Sequence, residues 1–230
     1  MSVRPGLGRG FRRLGTAVCV LVGVVGLLDA LLLQVGMSTV EAFYDTATDD
    51  ATHQRQLVSL DQWAVGTMVV YALVFLAAGV CWIDWQGQLA SSPRLERAGG
   101  RLRPGWHAWA WFVPVLNLVL PALAMRQLDR GLGVPGRRRL RSPLWVWWIS
   151  FVLSVVLGRY AAWRAYAVED LVGAGDLDRA IDLYERCLVL GVIGNALGVV
   201  AAVLAIGIVH DLTARALEPV RDDLAPAAAR

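Results

Sequence analysis

The sequence predicts an all-α integral membrane protein with four transmembrane helices and one proline-broken membrane element. Apolar residues make up 57% of the 230 residues, and charged residues make up 18%. Both values depart from those of average soluble domains, in which about a quarter of the residues are charged. Five apolar runs are each about 20 residues long, which is the length a helix needs to cross a bilayer. This composition excludes an ordinary soluble enzyme, a disordered chain and a disulfide scaffold.

The apolar runs define one integral membrane domain over residues 16–215. A basic segment (1–15) precedes this domain, and a flexible tail (216–230) follows it. The first run is expected to remain as a span, because it is longer than a signal-peptide core and no A-x-A cleavage site follows it. The five runs are 16–36, 63–83, 106–125, 144–163 and 187–209.

The third run differs from the others because it contains Pro114 and Pro121. Each proline removes a helix hydrogen bond and clashes with the preceding turn. Asn117 lies between them, where its amide could bond to backbone groups that the break leaves unpaired. Irregular backbone is tolerated at membrane depth only where protein or a water-filled cavity covers it. We therefore expect a re-entrant element buried among the other helices, although the length of the run also permits a kinked fifth span.

The distribution of arginine favours the re-entrant arrangement. The chain contains arginine but no lysine, and a re-entrant third run places 17 of the 22 arginines on one side. Five full spans would divide them almost evenly between the two sides. Since cytoplasmic loops carry the excess of arginine, we expect a cell-membrane protein with a cytoplasmic N-terminus. Eight tryptophans would then form a belt at the cytoplasmic interface, namely Trp82, Trp85, Trp106, Trp109, Trp111, Trp145, Trp147 and Trp148.

Asp29 is the only acidic residue deep within an apolar run. A charge at that depth costs several kcal/mol, so it normally has a partner or a role. Arg159 would lie at a similar depth if the first and fourth runs enter from the same side. We therefore predict an Asp29–Arg159 pair, which would serve either as a structural clamp or as part of a proton or ion relay.

The fifth run carries small residues at helical spacing, including Gly194 and Gly198, with Asn195 between them. Small residues allow helices to approach closely, and an asparagine amide can bond across the contact. We expect the partner helix to belong to the same chain.

A basic cluster precedes the fourth run and consists of Arg137, Arg138, Arg139 and Arg141. It is expected to anchor the topology, and contact with anionic lipid head groups is a second interpretation. Nucleic acid is not expected as a partner, because no known reader fold accompanies the cluster. The three histidines and three cysteines lack metal-ligand spacing, and no nucleophile, phosphate-binding or dinucleotide motif is present. We therefore predict no metal, no cofactor and no enzymatic activity.

The pattern from Gly105-Trp106 through Trp111-Phe112-Val113-Pro114 to Asn117 and Pro121 resembles the signature of a known family. This family comprises small membrane proteins of high-GC Gram-positive bacteria and is catalogued as domain of unknown function forty-three twenty-eight. The resemblance covers most of the chain. One departure is the absence of an asparagine near the end of the second span, where Gln86 or Gln88 stands. The resemblance implies a multi-span fold but no activity.

The sequence thus favours a non-enzymatic membrane module that binds a protein partner or lipid head groups. The alternative is a small transporter or ion pathway that uses Asp29 and the Pro114–Pro121 element.

Overall fold

The computed structural model describes residues 7–44, 50–97, 102–113, 116–133 and 140–218. Within these ranges the chain is helical and contains no strand. Seven α-helices follow one another: α1 (Arg9–Tyr44), α2 (Asp50–Ala90), α3 (Pro93–Arg97), α4 (Pro104–Trp109), α5 (Leu120–Gly131), α6 (Arg141–Gly173) and α7 (Leu177–Leu217). A 3-10 turn at Leu116–Leu118 lies between α4 and α5.

Four of these helices are long and apolar enough to cross a membrane. The qualifying segments are Arg9–Ala42, Val58–Ala90, Pro143–Gly173 and Leu177–Leu217. They contain the first, second, fourth and fifth apolar runs. The predicted all-α chain with four candidate membrane-spanning helices is therefore confirmed.

Helices α1 and α7 pack against each other in antiparallel directions. The two helices approach each other closely at several glycines, where no side chain separates them. A Cβ atom at Gly26, for example, would lie 2.6 Å from the Cβ of Ala202. Three such contacts follow one another along the pair, Gly15 with Thr213, Gly26 with Ala202 and Gly36 with Val192. Helix α2 packs against α1, and α6 packs against α7.

The C-terminal end of α2 and the N-terminal end of α6 meet at one end of this bundle. The Trp85 indole bonds to Thr213 near the end of α7, and the Trp82 ring stacks on Trp147 of α6 with centroids 5.3 Å apart. We call this the tryptophan end, defined by Trp82, Trp85, Trp147 and Trp148. The opposite end, where α6 connects to α7, is the loop end. The chain between α2 and α6 therefore leaves the bundle and returns to it at the same end.

The proline-containing run is divided rather than continuous. Helix α4 ends at Trp109, and α5 begins at Leu120 with Pro121 in its first turn, where a missing N–H breaks no helical bond. Pro114 lies outside the described residues. This run forms no long helix in the described part of the chain, so it is not among the four candidate spans. We call residues 104–131 the broken segment.

Candidate functional site

A buried amide joins the broken segment to α2. Gln86 Oε1 accepts hydrogen bonds from the indoles of Trp82 and Trp111, each at 3.1 Å. The other side-chain atom, Gln86 Nε2, lies 3.4 Å from His107 Nδ1. Gln86 and His107 are both fully buried. One glutamine side chain thus connects α2 to both α4 and the turn that follows it.

His107 occupies this network as a neutral imidazole. It lies outside the four candidate spans, and burial lowers its pKa to about 4. If Nδ1 accepts the Gln86 amide hydrogen, the imidazole proton must reside on Nε2. Nε2 is itself buried and has no hydrogen-bond partner among the described groups. Protonation of Nδ1 would place a second donor against the Gln86 amide.

The tryptophans around this network form a core rather than a belt. Trp82, Trp85, Trp147 and Trp148 are buried, whereas Trp106 and Trp109 are exposed. The Trp111 ring meets Trp148 edge-on with centroids 5.9 Å apart, and it meets Phe151 at 6.3 Å. Half of the eight tryptophans expected in an interfacial belt therefore fill the tryptophan end of the bundle.

A buried ion cluster ties α7 to the broken segment. Arg215 is 2% exposed, and its Nη1 lies 3.0 Å from Asp129 Oδ1 on α5. Its Nη2 lies 2.5 Å from Asp211 Oδ2, one turn earlier on α7. The backbone N–H of Leu140, just before α6, donates to Asp129 Oδ1 at 3.3 Å. The Arg94 guanidinium donates to the backbone carbonyl of Arg215 at 2.5 Å, which adds the α3 region to the cluster.

The opposite face of the broken segment is apolar and exposed. Trp109 and Phe112 are 64% and 65% exposed, respectively. Three further exposed side chains continue this face at intervals of three or four residues, namely Leu116, Val119 and Leu123. Arg126 follows on α5, and its guanidinium lies 5.7 Å from the centre of the Trp145 ring. The segment therefore buries Gln86-bound groups and part of its apolar residues, such as Met125 and Leu128, against the bundle and leaves a second set of large apolar side chains exposed.

Asp29 lies far from this end and is buried between helices. Its carboxyl group is hydrogen-bonded to the Tyr71 hydroxyl of α2. On the other side it contacts Gly198 of α7, where a Cβ atom would lie 2.5 Å from Asp29 Oδ2. Arg159 is exposed on α6, which packs against α7 rather than α1. The predicted Asp29–Arg159 pair is therefore wrong, because equal depth along two helices does not determine which faces meet.

Asn117 does not have the expected role at the break. Its side chain is half-buried and forms no hydrogen bond with the described residues, while its backbone N–H donates to the Val113 carbonyl at 2.9 Å. The Trp148 indole bonds instead to the carbonyl of the neighbouring residue, Leu118, at 2.9 Å.

The other predicted residues are dispersed over the structure. Pro121 is buried in α5, and Asn195 is half-buried on α7. Arg141 begins α6, and its side chain lies outside the described set, as do Arg137, Arg138 and Arg139. Among the described residues, no group of three or more histidine, cysteine, aspartate or glutamate side chains could hold a metal ion.

Comparison with known proteins assigns a family. A family model described as "Domain of unknown function (DUF4328)" matches residues 48–214, which include α2, the broken segment, α6 and nearly all of α7. No curated protein matches the chain, and neither does any solved structure. The match covers well over half of the sequence and includes the tryptophan-proline motif, so the chain belongs to the DUF4328 family.

Proposed function

We propose that this protein is a non-catalytic cell-membrane protein that binds anionic lipid head groups at its tryptophan end. In this proposal the broken segment enters the bilayer from that end and returns to the same side. Its apolar face contacts the acyl chains, and its arginines contact the head groups.

The depth of the broken segment supports entry into the bilayer. Its Trp111 ring contacts Phe151, which lies ten residues beyond the start of α6 at Arg141. At 1.5 Å per residue, this contact is about 15 Å along α6 from its first residue. That distance is comparable with half of the roughly 30 Å hydrocarbon core. An exposed apolar face at this depth fits contact with lipid.

The observation that carries the proposal is the order of side chains along the exposed face. Apolar groups from Trp109 to Leu123 come first, and Arg126 and the exposed Arg130 follow within two helical turns. Long arginine side chains extend toward the membrane surface while their carbon chains stay in apolar surroundings. Each arginine close to an anionic leaflet contributes about 1 kcal/mol to binding. The stacking of Arg126 on Trp145 fits a position at the membrane interface.

The proposed orientation follows from the positions of the arginines. The segments that leave the bundle at the tryptophan end carry 17 of the 22 arginines in the sequence. We therefore place that end, together with the N-terminus, on the cytoplasmic side of the cell membrane. The cytoplasmic leaflet is also the one that carries anionic lipid.

The alternative proposals have less support. A membrane protein partner could use the same exposed apolar face, but lipid suffices to cover it. A transport pathway that joins Asp29 to the broken segment would have to pass stacked rings. Tyr71 stacks on Phe75 at 5.8 Å, Phe75 on Phe151 at 6.5 Å, and Phe151 contacts Trp111. The two phenylalanine rings in the middle of this stack offer no polar group to line a path for an ion.

Lipid titration followed by native mass spectrometry tests the proposal. The variant carries Arg126→Gln and Arg130→Gln, and phosphatidylglycerol is compared with phosphatidylcholine. The matched control carries Arg179→Gln and Arg186→Gln, two exposed arginines near the loop end whose ion pairs are local. Two contacts of about 1 kcal/mol each predict an affinity loss of about 30-fold for phosphatidylglycerol in the first variant only. Equal losses in both variants, or no preference for the anionic lipid, would refute head-group binding at this end.

A further inference from the structure

Asp29 is buried between helices and takes part in no ion pair among the described residues. The residue is 4% exposed and lies within the apolar stretch of α1, about 30 Å along the helix from Arg9. The cation that the sequence analysis paired with it, Arg159, is exposed on α6, which packs against α7.

Two other helices face the Asp29 carboxyl group. From α2, the Tyr71 hydroxyl forms a hydrogen bond with it, and Tyr71 is the titratable group in contact with it. From α7, Gly198 lies against it and contributes no side chain. In the described part of the chain, the side-chain partner that would stabilise an aspartate anion here is one neutral hydroxyl. Such a buried charge costs far more free energy than one neutral hydrogen bond returns.

The glycine at position 198 indicates that α7 is shaped around the carboxyl group. A Cβ atom there would lie 2.5 to 2.9 Å from the carboxyl carbon and both oxygens of Asp29. The carboxyl group thus fills the space that a side chain of α7 would otherwise occupy. Protonation allows it to take that space as an uncharged group with both a donor and an acceptor.

We propose that Asp29 is a proton-binding site, a neutral carboxylic acid that exchanges its proton with water from within the helix bundle. The proton is the ligand because, among the described residues, the side chains at this site supply only the oxygens of Asp29 and Tyr71. A calcium ion requires six to eight oxygen ligands, and magnesium requires a near-ideal octahedron. Loss of the proton would place a charge between α1, α2 and α7, so occupancy of the site is coupled to the packing of these three helices.

Infrared spectroscopy tests this proposal directly. At neutral pH, exposed carboxylates are ionised, so a protonated carboxyl group should give a separate C=O stretching band. We expect this band in the wild-type protein in detergent, its loss in Asp29→Asn, and its retention in Asp84→Asn. Asp84 is an exposed acid on α2 that bonds to Gln88 and serves as the matched control.

Two further measurements distinguish a carboxyl group whose proton exchanges with water from one whose proton does not. Transfer to D2O should shift the band while the protein remains folded, which would show that the proton exchanges. Tyr71→Phe should move the band to higher frequency, because it removes the hydrogen bond to the carboxyl group. This variant retains Asp29, so it still tests the proposal if Asp29→Asn does not fold. A band missing from the wild type, a band that survives Asp29→Asn, or a band that D2O leaves unshifted would each overturn the proposal. Asp29 lies about 20 Å from the tryptophan end, so failure of lipid binding there leaves the infrared result unaffected.

Discussion

The Trp148 indole donates a hydrogen bond to the backbone carbonyl of Leu118 across 2.9 Å. This contact joins α6 to the interrupted backbone of the broken segment. A carbonyl released from helical bonding in apolar surroundings needs such a partner. The partner comes from a helix that is 30 residues away in sequence, rather than from Asn117 beside the break.

Replacing Trp148 with phenylalanine should destabilise the broken segment. The change keeps an aromatic ring in the core but leaves the Leu118 carbonyl without its donor. We expect a loss of about 1–3 kcal/mol in the free energy of unfolding. The matched control is Trp147→Phe, because Trp147 packs against the rings of Trp82 and Phe151. Chemical unfolding in detergent should show the larger loss for Trp148→Phe, and an equal loss in the two variants would mean that ring volume alone matters.

Replacing Gln86 with leucine should be more costly than the same change at Gln88. Gln86 accepts two indole N–H groups and faces His107, so its loss leaves buried donors unpaired. We expect a destabilisation of about 3 kcal/mol. Gln88 is exposed and its side chain bonds to Asp84, and surface changes of this kind usually stay within about 0.5 kcal/mol. Comparable unfolding curves for the two variants would show that the Gln86 network has no stabilising role.

The sequence predicts the long helices well, because hydropathy over about 20 residues reports burial in lipid or protein without reference to any neighbour. It also predicts the break, since two prolines interrupt a helix regardless of context. The faces of the helices could not be predicted. Long helices that are apolar on all sides carry little periodic signal, so the sequence does not show which face of one helix meets another. The wrong pairing of Arg159 with Asp29 is an example. The Arg215–Asp129 pair could not be predicted either, because the two residues are 86 positions apart and the local sequence pattern around each contains no information about the other.

The ion cluster at Arg215 should behave as a buried unit. Arg215→Leu would leave Asp129 buried without its cation, which typically costs about 3–5 kcal/mol. Arg186→Leu removes an exposed arginine from an i, i+4 pair with Asp182 and should cost at most about 1 kcal/mol. Thermal unfolding of both variants at the same ionic strength tests this difference. A small effect of Arg215→Leu would show that the cluster rearranges around the missing charge.

His107 should make the protein less stable as the pH falls. Its pKa is about 4 in the folded protein, against an ordinary value of 6.5. The unfolded chain therefore binds the proton more tightly, so this contribution to stability is complete above pH 6.5 and is lost progressively toward pH 4. The total loss is about 3 kcal/mol. His107→Gln should flatten the dependence of melting temperature on pH in this range, whereas His210→Gln, at an exposed histidine, should keep the wild-type slope. Parallel curves for wild type and His107→Gln would show that other groups determine the acid sensitivity.

The topology of the broken segment can be tested with single cysteines at its two flanks. Gly105→Cys and Arg130→Cys place exposed thiols before and after the apolar face. A Cβ atom at Gly105 meets no atom within 4 Å, whereas one at Gly133 would lie 3.1 Å from the Arg130 carbonyl oxygen, so position 130 is the better second site. Gly173→Cys, exposed at the loop end, reports the other side of the membrane. Cys19, Cys81 and Cys187 are first replaced by serine or alanine.

Labelling with a membrane-impermeant maleimide then distinguishes the arrangements. A re-entrant segment with a cytoplasmic tryptophan end predicts that positions 105 and 130 react only after permeabilisation, because both lie on the inner side. Position 173 should react in intact cells. If 105 and 130 react on opposite sides, the segment crosses the membrane, and the bundle geometry that returns the chain to the tryptophan end is wrong. If 105 and 130 react in intact cells and 173 does not, the segment is re-entrant but inverted, and the anionic cytoplasmic leaflet is no longer the surface that Arg126 and Arg130 contact.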